Sequence, residues 1–228
     1  MPLILCLETA TKLCSVALAR DGEVVAVSEL EQVGHVHAEK LNVFIDEVMA
    51  KAGLDLAELD AVAVGIGPGS YTGLRIGLSA AKGLCYALER PIIGISTLAT
   101  LVESAKLAGL QAGVECWPMV DARRMEVFTC PFSATGATEQ APAPVILDAQ
   151  WAAGDTARAV FGDGADKAAG LWAAAPHITH VAGVRPSATA MAPIAARRYA
   201  AGAFDDLAYL VPEYGKAANV TRSGPSKA

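Results

Sequence analysis

The sequence has no apolar run long enough to span a membrane, although 53% of its 228 residues are hydrophobic and its mean hydropathy is +0.37. A membrane-spanning helix needs about 20 consecutive apolar residues. The first apolar run, residues 3–7, is ended by Glu8 and has no basic leader, so we expect no signal peptide. We therefore expect a cytoplasmic protein with a large core, built as one domain of moderate size or two small ones.

Paired cysteines and an excess of positive charge are also missing. The five cysteines form no Cys-x-x-Cys pair, and several lie in apolar runs. This usage is typical of buried thiols in a reducing compartment. The formal net charge is −6, and affinity for nucleic acid scales with the Lys and Arg side chains that neutralise phosphates. We therefore expect any contact with RNA to be indirect, through a partner that supplies the basic surface.

Common catalytic and metal-binding motifs are absent too. The sequence contains no Gly-x-Ser-x-Gly elbow of the kind found in hydrolases. Its four histidines form two pairs, at positions 35 and 37 and at positions 177 and 180. Neither pair has the i, i+4 spacing of a helical zinc site, so we predict solvated loop histidines and no metal site.

Two charged positions remain as candidates for chemistry. Glu8 ends the first predicted strand and is the single carboxylate best placed for catalysis or for magnesium. Its alternative role is structural, as an acid hydrogen-bonded to the next turn. Asp121 follows another predicted strand and is close to Arg123 and Arg124. These arginines could orient an anion, but a solvated turn with an Arg–Asp pair is the simplest interpretation.

Hydrophobic periodicity predicts an α/β chain. The predicted strands are residues 3–7, 14–19, 23–30, 61–66, 92–95, 116–120 and 125–130. The predicted helices are residues 38–52, 74–88, 97–108 and 187–201, and residues 133–144 are predicted to form a loop. The first α/β unit is predicted to end near Ser96.

The most distinctive segment is the glycine-rich loop of residues 67–77, which joins a predicted strand to a predicted helix. Such a junction gathers backbone N–H groups at a helix N-terminus, where an anion is favoured. No Lys follows Gly73, so the loop is not a P-loop, and its spacing is one residue too long for a dinucleotide fingerprint. Phosphate binding and a tight turn therefore both stay open.

The helix predicted after this loop is apolar over roughly 220° of its circumference, whereas one core face needs roughly 100°. Gly73, Gly77 and Ala81 lie on one side of it, where another helix could approach closely. These residues alone leave two interpretations, which are burial within the chain's own domain and a subunit interface.

Four segments in order resemble the TsaB family. They are residues 5–18, 37–41, 65–77 and 120–128, with residues 93–98 adding support. The resemblance covers most of residues 3–130, and residues 67–77 are its most specific block. It implies the actin/Hsp70/sugar-kinase fold, an α/β fold with two related lobes. Residues 1–96 would form the N-terminal lobe, residues 97–212 a second, smaller lobe, and residues 213–228 a flexible tail.

The resemblance also implies a function. The TsaB family is the non-catalytic partner in bacterial synthesis of N6-threonylcarbamoyladenosine on tRNA. By resemblance the chain is not an enzyme and has no cofactor. It binds and activates a TsaD-type catalytic subunit that modifies adenosine 37, with a TsaE-type ATPase as a further partner. Without TsaD it forms a homodimer, and it contacts tRNA only indirectly and no membrane. The implied contact surface lies on two first-lobe helices and comprises Val43, Gly73, Gly77, Ala80, Ala81 and Leu84.

This chain departs from the catalytic members of the superfamily at their phosphate and metal positions. Their first hairpin carries an Asp-x-Gly-Thr-like loop, in which Glu8 and Ala10 replace the Asp and the Gly here. The added methyl group of Ala10 should obstruct a phosphate. The His-x-x-x-His metal pair of TsaD is replaced by Thr97 and Leu101.

A vestigial phosphate or nucleotide site is the remaining expectation at the first hairpin and the glycine-rich loop. Its candidate residues are Glu8, Thr11, Gly67, Gly69 and Ser70. Two alternatives stay open beside the resemblance. One is an ATP-dependent small-molecule kinase or ATPase that uses these residues, and the other is a metallopeptidase, as older glycoprotease-like labels of the family suggest.

Overall fold

The computed structural model describes residues 1–32, 36–111, 113–133, 138 and 140–216. The first α/β unit contains β1 (Leu3–Glu8), β2 (Leu13–Arg20), β3 (Glu23–Glu31), α1 (Val36–Ala52), β4 (Ala61–Gly67), α2 (Tyr71–Leu88) and β5 (Ile92–Ser96). The remaining elements are α3 (Thr97–Leu107), β6 (Glu115–Pro118), β7 (Val120–Asp121), β8 (Glu126–Thr129), β9 (Ala143–Ile146), β10 (Arg158–Phe161), α4 (Asp163–Asp166), α5 (Ala169–Trp172), β11 (Ile178–Val181) and α6 (Ala188–Ala200).

The first sheet has five strands in the order β3-β2-β1-β4-β5. β1, β2 and β3 pair antiparallel, whereas β1, β4 and β5 pair parallel. The side chains of α1 and α2 pack on one face and those of α6 on the other. Because both faces are covered, β1 is buried at every position, which explains its continuous apolar run. The predicted strands and helices of this unit are confirmed within a few residues.

α6 belongs to this core although it falls within the predicted second lobe. Its buried residues Ala188, Met191 and Ala195 contact Ile4 and Ile93 of the first sheet. The division of the chain at residue 96 stays a prediction, and the packing shows that this boundary does not separate two independent cores. Pro193 lies inside α6.

Two three-stranded sheets follow, a parallel one in the order β11-β10-β6 and an antiparallel one in the order β7-β8-β9. The strand predicted over residues 116–120 is therefore two strands. The chain changes sheet at Met119, which is fully buried between them. The predicted loop of residues 133–144 ends in β9, which tolerates Pro144 because it is the edge strand of its sheet. Residues 134–137 and 139 lie outside the described residues.

All five cysteines are free and buried, as predicted. No helix within the described ranges is both long and apolar enough to cross a membrane. The flexible tail of residues 213–228 stays a prediction, and its first part, residues 213–216, packs against both β4 and β8 as described below. Residues 217–228 lie outside the described residues.

The small residues of α2 make room for the turn between β1 and β2. A Cβ atom on Gly77 would lie 2.3 Å from Oγ1 of Thr9, and one on Gly73 would lie 2.1 Å from the Thr9 carbonyl oxygen. Ala81 is fully buried in the core under α1 and α2. The close approach inferred for another helix is therefore made by Thr9 of the same chain.

This packing predicts opposite effects for two glycine-to-alanine substitutions in α2. Gly77→Ala should lower the free energy of unfolding by about 1–3 kcal/mol, because the new methyl group overlaps Thr9. Gly83→Ala, at an exposed position with no atom within 4 Å of the added carbon, should raise it by roughly 0.5–1 kcal/mol. Urea titration of both variants and the parent measures these changes. Equal effects of the two substitutions would contradict the packing described.

Candidate functional site

The predicted phosphate site is filled by the chain itself. The backbone N–H of Ser70 donates a hydrogen bond of 2.7 Å to the Ala10 carbonyl oxygen. A Cβ atom on Gly69 would lie 2.4 Å from that oxygen. The hydroxyl of Thr9 donates to the Gly73 carbonyl oxygen at 2.9 Å. The glycine-rich loop and the β1–β2 turn, the two segments that would hold a phosphate between them, are therefore in direct contact.

Glu8 lies beneath this contact and is fully buried. Its Oε1 accepts a hydrogen bond of 2.8 Å from the Ala10 N–H, whereas its Oε2 has no hydrogen-bond partner among the described residues. The carboxyl group packs on Gly65 of β4, where a Cβ atom would lie 2.6 Å from Oε2. Burial raises the pKa of Glu8 from 4.5 to about 7, against the opposing effect of the N–H groups of Ala10 and Thr9.

His37 closes the same turn from the other side. It lies in the first turn of α1 and is buried. Its Nε2 lies 2.7 Å from the carbonyl oxygen of Thr11, which can only accept, so this nitrogen carries the proton. Thr11 is buried as well. The prediction of a solvated loop histidine is therefore wrong for His37, because the side chain is used to anchor α1 to the β1–β2 turn.

The second histidine pair also differs from the prediction. His180 lies in β11, where its Nε2 is 2.9 Å from Oδ1 of Asp166. His177 precedes this strand and is half-buried. His35 lies outside the described residues. No group of three or more potential metal-ligating side chains is found in the part of the chain that the structure describes.

A short C-terminal segment, residues 213–216, crosses the mouth of the filled site, and we call it the strap. The N–H of Glu213 donates to the Ile66 carbonyl oxygen at 2.7 Å. A Cβ atom on Gly67 would lie 2.3 Å from the Glu213 carbonyl oxygen. Gly67 also has a φ of +116°. The Tyr214 ring stacks on Tyr71 of α2, with 4.5 Å between ring centroids.

The other end of the strap contacts β8. A Cβ atom on Gly215 would lie 2.7 Å from the ring of Phe128, so this ring packs directly on the strap backbone. The ammonium group of Lys216 pairs with Glu126 and lies 5.7 Å from the centroid of the Phe128 ring. The strap therefore links the N-terminus of α2 to the antiparallel sheet.

The two positions at which the resemblance places the metal ligands of TsaD are part of the core. Thr97 and Leu101, on the first turns of α3, are both fully buried. The Thr97 hydroxyl has no hydrogen-bond partner among the described residues. Leu101 packs with Leu98 and Phe161 in an apolar cluster. A hydroxyl and an aliphatic side chain do not provide the nitrogen or carboxylate ligands that a catalytic metal prefers.

An accessible groove of about 650 Å³ lies between α1 and α2. Its lining residues are His37, Ala38, Leu41, Asn42, Tyr71, Thr72, Arg75, Ile76, Ser79 and Ala80. The apolar members Leu41, Ile76 and Ala80 are buried or half-buried, and polar side chains flank them. Arg75 donates a hydrogen bond of 3.3 Å to the hydroxyl of Tyr71, which is itself half-exposed. An apolar floor between two helices with a polar rim is the geometry that receives an amphipathic helix.

The structure divides the predicted interface residues into two groups. Ala80 lines the groove, and Leu84 continues the same stripe of α2 one turn further and is half-buried. Val43 is 44% exposed on α1 but is not one of the residues that line the groove. Gly73, Gly77 and Ala81 are instead buried within the chain. The interface assignment stays a prediction, and the accessible residues of the set are Val43, Ala80 and Leu84.

Sequence reasoning missed the aromatic pair that joins the groove to the strap. Tyr71, Arg75 and Ser79 follow each other at helical i, i+4 spacing, so their common stripe could have been identified. The residues around Tyr214 do not indicate that its ring stacks on another, because its partner Tyr71 is far away in the sequence. His37 was also missed, although it is a buried residue in the first turn of α1.

Glu8 predicts a specific dependence of stability on pH. Its pKa is raised in the folded state, so its protonated form is stabilising below pH 4.5 and this contribution is lost as the pH rises through about 7. The shift corresponds to about 3 kcal/mol. Glu8→Gln, which stays neutral, should match the parent near pH 4.5 and exceed its stability above pH 7. If the difference in unfolding free energy between the two proteins stays constant from pH 4 to pH 8, Glu8 does not have the raised pKa described.

Comparison with known proteins adds family relationships to this geometry. A family model described as TsaD, tRNA N6-adenosine threonylcarbamoyltransferase, matches residues 15–162, which is more than half of the chain. A curated relative from Haemophilus influenzae, named tRNA threonylcarbamoyladenosine biosynthesis protein TsaB, is 39% identical over 125 residues. That match covers 55% of this chain and 51% of the relative, so the chain spans about half the length of the curated relative it matches.

Solved structures resemble the whole chain. A structure titled YeaZ from Pseudomonas aeruginosa has a TM-score of 0.74 and 27% identity, and the match covers 94% of this chain and all of that one. A second structure, the activator of a 2-hydroxyisocaproyl-CoA dehydratase from Clostridium difficile, has a TM-score of 0.51 and 8% identity. That match covers 87% of this chain and 95% of that one, and at this identity it shows a shared fold alone. The predicted actin/Hsp70/sugar-kinase fold class is confirmed. The chain belongs to the protein family that the threonylcarbamoyltransferase model describes, and within it to the TsaB family.

Proposed function

We propose that the chain is a non-catalytic subunit in the synthesis of N6-threonylcarbamoyladenosine at position 37 of tRNAs. In this role it docks a TsaD-type threonylcarbamoyltransferase and activates it in the cytoplasm. The names of its relatives supply the pathway. The observation that carries the docking role is the groove between α1 and α2, which is accessible while the phosphate site of the fold is filled.

The filled phosphate site supports a non-catalytic role over a kinase or ATPase. The space between residues 8–11 and residues 67–70 is closed by hydrogen bonds of the chain itself. A nucleotide phosphate would have to displace the contact between Ser70 and Ala10 and the strap over Gly67. The buried Thr97 and Leu101 likewise give no support to a metallopeptidase.

The composition of the groove supports a helical partner surface. Its apolar floor offers Leu41, Ile76 and Ala80, and its rim offers the guanidinium group of Arg75. A partner helix could bury an apolar stripe on this floor and place polar side chains on the rim. In the absence of the transferase, the equivalent helices of a second copy can occupy the same groove and form a homodimer. A TsaE-type ATPase joins as a further partner, and the transferase holds the tRNA.

A single charge in the groove should prevent docking. Ala80→Glu places a carboxylate on the apolar floor, and a partner that covers it leaves this charge buried without a counter-charge. We expect affinity for the transferase to fall at least about 30-fold, or about 2 kcal/mol. Titration calorimetry or size-exclusion chromatography with the purified transferase measures the change. The same variant should shift any homodimer toward monomer.

Ala169→Glu is the matched control, because Ala169 is an exposed residue at the start of α5 and receives the same substitution. Both variants should unfold cooperatively with far-ultraviolet circular dichroism like that of the parent. If the Ala80 variant is folded and binds the transferase as tightly as the control, the groove is not the docking surface.

A further inference from the structure

The hairpin tip between β7 and β8, residues 122–125, has an unusual backbone. Arg123 and Arg124 have φ angles of +73° and +52°, so two successive residues with side chains adopt the left-handed conformation. This conformation is disfavoured for every residue with a Cβ atom and is normally left to Gly or Asn. Local backbone preference therefore does not explain the two arginines.

Interactions within the hairpin do not explain their side chains either. The Asp121 carboxylate accepts the backbone N–H of Arg123 at 2.8 Å and forms an ion pair with Lys167. The expected Arg–Asp pair is therefore absent, because Lys167 neutralises Asp121 instead. Both arginines are exposed, and neither guanidinium group has an ion pair or hydrogen bond to the residues that the structure describes. The side chains of Arg123 and Arg124 are thus available for a ligand.

The tip is connected to the proposed docking groove by direct contacts. Glu126, the first residue of β8, pairs with Lys216 of the strap. Two residues earlier in the strap, Tyr214 stacks on Tyr71, which lines the groove. The tip is therefore joined to Tyr71, at the edge of the groove, through the strap and its two contacts.

We infer that Arg123 and Arg124 contact the phosphodiester backbone of the tRNA that the docked transferase holds. This inference rests on the proposed function. A guanidinium group binds two oxygens of one phosphate in a fixed planar geometry. The chain as a whole carries a net charge of −6 and repels tRNA. Two exposed arginines, without an ion pair to the described residues, offset this repulsion where the tRNA comes close. Under this inference the chain adds two phosphate contacts of its own to the indirect tRNA contact that the resemblance implies.

The test is tRNA binding by the complex of the chain and the transferase as a function of salt concentration. The variant Arg123→Asn/Arg124→Gly removes both charges and places at each position a residue that adopts a positive φ with less strain than Arg, so it should fold at least as well as the parent. Affinity of its complex for tRNA should fall about tenfold at low salt. The slope of log K against log salt should become shallower by roughly 1.5 to 2, since each lost phosphate contact removes roughly 0.7–0.9.

The conservative variant Arg123→Lys/Arg124→Lys keeps both charges and should retain most of the slope, which separates a charge effect from a change in the turn. Unchanged tRNA affinity and slope in the Asn-Gly variant, with the complex intact, would overturn the inference alone. A weakened complex would also overturn it, because the arginines would then contact the transferase. If the unsubstituted chain forms no complex, the proposed function itself fails.

Discussion

The contact between the β1–β2 turn and the N-terminus of α2 determines how the rest of this molecule is arranged. The N–H of Ser70 is bonded to Ala10, and Gly69, Gly73 and Gly77 leave no room for a Cβ atom beside Thr9 and Ala10. In a fold that can hold a phosphate between these two segments, the chain closes the gap with its own backbone. The glycines of α2 therefore serve close packing within one chain, and α2 is held at a fixed distance from β1.

This closed contact supports the groove. His37 anchors α1 to the carbonyl of Thr11, while Thr9 anchors α2 through Gly73, so both groove helices are attached to one turn. The strap adds a third attachment through Tyr214 and continues to β8. Glu8 is buried beneath the turn, and one of its carboxyl oxygens has no hydrogen-bond partner among the residues that the structure describes. The segments that would bind a nucleotide therefore lie at the base of the groove that we propose as the docking surface.

The sequence predicted the first α/β unit well because its signals are local. Residues 3–7 of β1 and the whole of β4 are continuous apolar runs, which predict buried strands directly. The candidate site was predicted only in part, because its decisive contacts join distant segments. A helical wheel shows that Gly77 is a small residue but cannot show that Thr9 fills the space beside it. The stack of Tyr214 on Tyr71, the buried position of His37 and the packing of α6 on the first sheet are long-range contacts of the same kind.

The central claim is that the closed β1–β2 turn excludes phosphate and that the chain acts through the groove above it. Hydrogen–deuterium exchange of the isolated chain, measured with magnesium ATP and separately with the transferase, tests both halves in one experiment. The account predicts that the transferase slows exchange in α1 and α2 and that magnesium ATP leaves residues 8–11 and 67–70 unchanged. Protection of these two segments by magnesium ATP, with α1 and α2 unaffected by the transferase, would contradict it.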